Sequence, residues 1–145
     1  MTQIFEHHTD VGWFDLDANR HMKNTAYMEK AVDCRLRFFN ASGVSPDVFA
    51  KWKVAFVVVR DETTYSRELF LGDKMRVQIL CGGVNEKRSR FLIVNRILTP
   101  GGEQVYEIRS MVVWLNTETR KSTTPPPDLS ALIENMARTE DYRSL

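Results

Sequence analysis

The 145-residue chain has only two cysteines, Cys34 and Cys81, far apart and without metal-ligand spacing. Their scarcity excludes a disulfide scaffold and a cysteine-based metal site, and it sets the expectation of a reduced, cytoplasmic protein. No apolar run approaches the ~20 residues of a membrane-spanning helix. The opening residues Met1-Thr2-Gln3-Ile4-Phe5-Glu6-His7-His8 lack the charged start and apolar stretch of a secretory signal. Charge of one sign is also missing: the net charge is +1. No general attraction to nucleic acid or membrane follows, so any anion site must be local. There is no internal repeat, low-complexity tract or interdomain linker, and the only proline run is Pro125-Pro126-Pro127, ahead of a short tail. With 43% hydrophobic and 27% charged residues, positions 1–145 read as one globular domain.

Residues 3–14 read as a strand. Residues 25–40 read as the main helix, with one stripe at Tyr27, Ala31, Cys34 and Phe38 and a second at Met28, Val32, Leu36 and Phe39. This gives a wide apolar face that a curved sheet would wrap. Asp33 and Arg37 are spaced to pair on the solvent side. A short helix is expected over 46–52, then a continuous apolar strand from Val54, extending toward Tyr65. Met75, Val77, Ile79 and Cys81 alternate with Arg76, Gln78 and Leu80 as a strand that Gly82-Gly83 should break. Further strands are expected over 90–98 and 105–115, joined by the turn Thr99-Pro100-Gly101-Gly102, with Lys121 in a short extension. Asp128 is placed to cap a last helix running to about Arg138. Short hairpins make the later strands antiparallel. One helix covers one face, so the other face and the sheet edge invite a second copy of the chain.

The chemistry concentrates in Asp15-Leu16-Asp17-Ala18-Asn19-Arg20-His21-Met22-Lys23-Asn24-Thr25-Ala26-Tyr27. Two carboxylates follow the first strand, a tight polar loop carries His21, and Asn24 stands where the main helix begins. An acid across a short loop from a helix start can attack a carbonyl, while the free N–H groups receive the oxygen that becomes negative. Asp17 is the candidate acid, as nucleophile or as base for a water. The plainer reading is that it caps the loop. Asp15 reads as a binder of loop amides and Asn24 as the helix cap, with oxyanion donors in the backbone around Asn24 and Thr25. His21 either orients the loop, meets the substrate or satisfies a polar pocket.

The pattern Asp-x-Asp-x-x-x-His-x-x-Asn-x-x-Tyr, followed by Arg35 and Phe38-Phe39, resembles the hotdog-fold acyl-CoA thioesterases, and within them the 4-hydroxybenzoyl-CoA thioesterase group. Tyr65 ahead of Leu71-Gly72-Asp73, the basic hairpin and Thr99-Pro100-Gly101-Gly102 extend the resemblance over residues 5–115. It implies an α+β hotdog fold, an antiparallel sheet wrapped around one long central helix. It further implies a homodimer or homotetramer with sites at the dimer interface, an acyl-CoA substrate, and no metal or organic cofactor. Asp17 matches the catalytic carboxylate, joined by His21 and Asn24. The hairpin Asn85–Arg90 matches the nucleotide contact, which points Lys87 and Arg88 at the CoA phosphates; the alternative is an ordinary charged turn. Arg20 departs from the pattern, standing where many members have Gly.

Glu29 is a rival carboxylate, because another hotdog branch uses an acid on the helix; the preferred reading is a solvated residue near Lys30. Trp13, Trp52, Phe56 and Tyr65 line an acyl pocket or simply the core. Two other functions fit less well. A hydratase or dehydratase would pair a His with an acid in a different motif. A non-catalytic acyl-CoA-binding module would not need a carboxylate beside the thioester.

Overall fold

A computed structural model describes residues 2–145. Strand β1 (Phe5–Asp10) and a 3-10 turn (Trp13–Asp15) precede helix α1 (Asn24–Ala41) and helix α2 (Pro46–Trp52). Strands β2 (Val54–Tyr65), β3 (Lys74–Val84), β4 (Arg90–Leu98) and β5 (Gln104–Asn116) follow, then helix α3 (Pro127–Glu134) and strand β6 (Arg138–Ser144). The sheet order is β1-β3-β4-β5-β2, antiparallel throughout, and β6 joins β3 in parallel. The architecture is the α+β one expected, with the 18-residue α1 against one face of the sheet.

α1 forms because its buried residues recur at helical spacing. Ala26, Tyr27, Ala31, Cys34, Arg35 and Phe39 face the sheet, and the small side chains at 26, 31 and 34 let the backbone come close. The second apolar stripe behaves differently from expectation. Phe39 is buried, but Met28, Val32 and Leu36 stand exposed, so the sheet covers a narrower face than the pattern suggests. At the far end of α1 an aromatic cluster closes the core: Trp114 stacks on Phe91 at 5.3 Å, and Phe56 meets it at 5.8 Å. Asp33 and Arg37 do pair on the outer side, at 2.7 Å.

Four local expectations are corrected. The first strand ends at Asp10, because the chain turns into the 3-10 segment at Trp13. Gly82-Gly83 do not break β3, which continues to Val84 through a bulge beside Gly82. A Cβ on Gly83 would lie 2.3 Å from the Arg143 carbonyl, so the glycine marks where β6 approaches closely. The last helix stops at Glu134, and 138–144 form a strand instead. The open half of β3's edge captures that segment, beginning with the Cys81 amide on the Ala137 carbonyl at 2.8 Å. The cap position of α3 is held by Pro126, and Asp128 sits inside the first turn, where its charge favours the positive end of the helix dipole.

Among the described residues, one charged side chain lies inside the core. Arg35 is 4% exposed. Its Nε donates to Asn95 Oδ1 of β4 at 2.7 Å and its Nη2 to Ser110 Oγ of β5 at 2.7 Å. Asn95 Nδ2 continues to the Gln78 carbonyl at 3.0 Å, and Ser110 Oγ donates to Asp61 of β2. Burial lowers the Arg35 pKa, and the Asp61 charge opposes that. Both cysteines are also buried; burial pushes the Cys34 thiol up to about 12 and raises Cys81 as well.

Two outcomes follow for stability. Arg35→Ala leaves Asn95, Ser110 and Asp61 without their cation, and is expected to cost about 3–5 kcal/mol in urea unfolding. At the sheet edge, Glu6 accepts from Arg76 Nη2 and from Gln78 Nε2, both at 2.6 Å. The Arg76 hydrogen bond, against the opposing effect of burial, holds the Glu6 carboxyl at about 2 instead of 4.5. A carboxyl lowered by folding contributes its stability fully above the unfolded value and loses it as pH falls through the folded one. Thermal melts should therefore show Tm dropping between pH 4.5 and about 2, with a shallower drop in Arg76→Met.

Candidate active site

The Asp17 loop is a small closed unit. Leu16 and Met22 bridge, the Asp17 amide donates to the His21 carbonyl at 2.8 Å, and the Arg20 amide to the Asp17 carbonyl at 3.1 Å. The Asp17 carboxylate is divided between two tasks. Oδ1 accepts the amides of Asn19 at 2.9 Å and His21 at 3.0 Å, while Oδ2 has no hydrogen-bond partner among the described residues. The loop needs a left-handed residue, and Arg20 supplies it at φ 68°. A residue with a Cβ is costly there, by roughly 1–2 kcal/mol, where glycine is not.

The start of α1 stands next to this loop, only seven positions after Asp17. Asn24 is its first helical residue, and Lys23 occupies the cap position without a side-chain cap bond. The expectation that Asn24 caps the helix is thereby corrected: the Asp15 carbonyl draws the Lys23 amide at 2.8 Å and sets the entry one residue early. The Lys23 carbonyl accepts from the Ala26 amide at 2.9 Å, and no acidic residue lies in the first turn. The positive end of the helix dipole is thus not neutralised from within the helix. The Tyr65 hydroxyl donates to the Asn24 carbonyl at 3.2 Å, tying the end of β2 to this turn.

Supporting groups fill the surroundings. Asp15 Oδ2 accepts the Gly12 amide at 2.8 Å and pairs with Lys30 Nζ at 3.1 Å. Burial pushes its carboxyl up, but the Gly12 amide and Lys30 pull harder and hold it below the usual value. The structure thus gives Asp15 a role in bracing the loop. His21 Nδ1 lies 3.6 Å from Glu68 Oε1, and its ring meets the edge of Phe70 at 5.3 Å. Glu29 is exposed on the solvent side of α1. Glu68 and Phe70 were not visible as site neighbours in the sequence, since only the pairing of His21 with Phe70 brings that segment to the loop.

Other candidates lie elsewhere. Trp13 and Phe14 project from the 3-10 turn, 75% and 94% exposed. Trp52 is half-buried against Phe49 at 6.5 Å. Phe56 joins the aromatic cluster while also lining a groove beside β2. Lys87 and Arg88 sit at the β3–β4 hairpin, where Arg88 pairs with Glu134 of α3 and the Lys87 carbonyl accepts from Thr124. β3 starts beside Asp10, near the Asp17 loop, and ends at this hairpin, about 30 Å away along the strand. Within one chain, Asp17, His21 and Asn24 come together and Lys87 and Arg88 do not join them. Among the described residues no group of three or more His, Cys, Asp or Glu is placed to hold a metal ion. Among the described residues no helix is long and apolar enough to cross a membrane.

Known proteins carry the same fold. The SAV2348 protein of Staphylococcus aureus, solved in complex with CoA, superposes with a TM-score of 0.86 at 23% identity, over 96% of this chain and 89% of that one. A thioesterase of Thermus thermophilus, solved with coenzyme A and Zn, gives 0.73 at 26% identity over 92% and 98%. A 1,4-dihydroxy-2-naphthoyl-CoA thioesterase of Synechocystis gives 0.80 at 14% identity over 90% and 96%. Comparison with curated proteins found no match. The thioesterase-like superfamily model matches residues 11–133, a span that contains the Asp17 loop, the whole of α1 and four of the six strands, and the chain belongs to that superfamily.

Proposed function

We propose that the chain hydrolyses an acyl-CoA thioester to the free acid and CoA, with Asp17 as the acting carboxylate. The observation that carries this reading is the division of the Asp17 carboxylate: one oxygen fixes the loop, the other is free beside the unneutralised start of α1. The free oxygen attacks the thioester carbonyl, or takes a proton from a water that does. The Asn24 and Thr25 amides receive the developing oxyanion, worth about 3 kcal/mol per donor in sites of this kind. Breakdown expels the CoA thiolate, and water supplies the second oxygen of the product acid on either route. His21, held between Glu68 and Phe70, orients the loop from the other side. Superfamily membership and the CoA-bound relatives support a CoA thioester as substrate.

The working unit on this reading is a dimer. β2 ends the sheet order, so its outer edge has no partner strand within the described residues, and it carries Val57-Val58-Val59. An open strand edge with an apolar half is a pairing site. Two copies joined edge to edge about a twofold axis pair antiparallel, which brings the Val54 end of one β2 to the Tyr65 end of the other. The partner's β3–β4 hairpin then lies at the Asp17 end of the first chain. Lys87 and Arg88 serve the CoA phosphates in trans, which accounts for their distance from Asp17 in cis.

Asp17→Asn keeps the oxygen that accepts the Asn19 and His21 amides, so the loop should stay folded while hydrolysis falls at least ~100-fold. Near-normal thiol release by this folded variant would remove Asp17 from the reaction. The dimer is checked by mixing two defective chains. Asp17→Asn and the double variant Lys87→Ala/Arg88→Ala, unfolded and refolded together, should yield heterodimers with one intact composite site. Low-KM activity should return in the mixture. A KM as high as that of the double variant alone would place the hairpin in cis.

A further inference from the structure

Resting on the reading of the Asn24 and Thr25 amides as oxyanion donors, we infer that Tyr65 is a positioning residue for the hydrolysis: its hydroxyl, bonded to the Asn24 carbonyl, orients and polarises the peptide that carries the Thr25 N–H. The Asn24 carbonyl and the Thr25 amide belong to one planar unit, so whatever holds the oxygen also sets the direction of the N–H. The Tyr65 hydroxyl lies 3.2 Å from that oxygen and comes from 41 positions away. A carbonyl has two lone pairs, so this one heads the helical ladder and still accepts a hydroxyl. A hydrogen bond at the oxygen draws electrons toward it and makes the N–H a stronger donor, by about 10–30% per bond in a chain of such bonds. The neighbouring peptide is treated alike: the Lys23 carbonyl, which shares its unit with the Asn24 amide, accepts from the Ala26 amide at 2.9 Å. Both donors thus belong to peptides whose oxygens are engaged, one from within the helix and the other from β2. Among the described residues neither the Asn24 nor the Thr25 amide has an acceptor of its own.

The Tyr65 ring is held so that its hydroxyl keeps this direction. Tyr65 stands opposite Tyr106 in the β2–β5 register. Its ring meets Tyr106 at 5.1 Å and Tyr27 edge-to-face at 5.3 Å, and Tyr27 and Tyr106 are themselves 5.2 Å apart. The three rings close a triangle beside the first turn of α1, and their hydroxyls have different fates. Tyr27 donates to the Arg67 carbonyl at 3.1 Å, and the buried Tyr106 hydroxyl has no partner among the described residues. Of the three, only the Tyr65 hydroxyl binds the turn that faces Asp17. Burial does not force it there: Tyr65 is 45% exposed, so water was open to its hydroxyl as a partner. Packing does not require it either, because phenylalanine would keep both ring contacts. What the hydroxyl adds is one bond, at one carbonyl.

The test is Tyr65→Phe, read in two ways. The first is the single-turnover rate of thiol release from whichever of acetyl-, octanoyl-, dodecanoyl- and benzoyl-CoA the wild-type protein hydrolyses fastest. An oxyanion donor is worth about 10²–10³ in rate, and 10–30% of that effect on the logarithmic scale is about twofold to eightfold. The rate should fall by that factor with KM unchanged, since the bond strengthens in its effect only as the oxyanion forms. The second reading is the amide spectrum of ¹⁵N-labelled protein without substrate. The Thr25 nitrogen should move upfield once its carbonyl partner is gone, and the rest of the spectrum shows that the variant is folded. Tyr27→Phe is the control: it removes a hydroxyl from the same triangle and should lower Tm without slowing release. A Thr25 resonance that stays in place would overturn the polarisation. An unchanged rate, a rise in KM alone, or an equal slowing by Tyr27→Phe would overturn the positioning role, and each would leave the thioesterase and Asp17 standing. A wild-type protein that releases thiol from none of the four esters would overturn the thioesterase reading and the positioning role with it.

Discussion

The structure depends on the buried guanidinium of Arg35. Apolar packing between a helix and a sheet tolerates sliding, because oily surfaces of similar shape fit in several positions. Hydrogen bonds do not, since they weaken steeply with distance and angle. Arg35 binds β4 through Asn95, β5 through Ser110 and, one step further, β2 through Asp61. Three adjacent strands thereby fix one axial position for α1. The first turn of the helix inherits that position, and so do the amides that face the Asp17 loop. A cation taken out of water is unfavourable unless every such partner is present, so the same network that sets the position penalises any other.

The loop shows a second use of constraint. Asp17, Asn19 and His21 make a ring of short-range bonds, closed by a left-handed Arg20 that the backbone holds despite its side chain. Asp15 braces it from one side through Gly12 and Lys30, and the Phe70 strand segment braces it from the other. A carboxylate on a free loop would sample many directions. Here one oxygen is anchored by two amides, and its twin is aimed by default, a pre-organisation that lowers the entropy lost in reaching the reacting geometry.

The sequence revealed what local spacing determines. Helical recurrence over α1, alternation in β3, turn residues at Thr99–Gly102 and the Asp17–Tyr27 motif all carry their information within a few residues. It did not reveal what depends on distant partners. Ser110 lies 75 positions from Arg35, and nothing near either residue announces the bond. β6 forms because β3 has an open edge, and Gly83 is glycine because that strand comes close; read locally, the same residues suggest a strand end. Periodicity likewise showed that Met28, Val32 and Leu36 are apolar, but not that the sheet would leave them uncovered. Asn24 looked like a cap because Asn favours that position, and the Asp15 carbonyl set the helix start one residue before it.

The two cysteines bear on how such chemistry is observed. Hydrolysis of a CoA ester liberates a thiol, and disulfide reagents detect it by attack of the thiolate. Cys34 hydrogen-bonds the Val77 carbonyl from the helix–sheet core, and Cys81 lies under β6; neither is exposed, and burial disfavours the thiolate of both. Such thiols stay silent toward a colorimetric reagent while the fold is intact. Signal therefore reports released CoA, and a slow rise from the protein alone reports unfolding, so one cuvette reads both turnover and structural integrity.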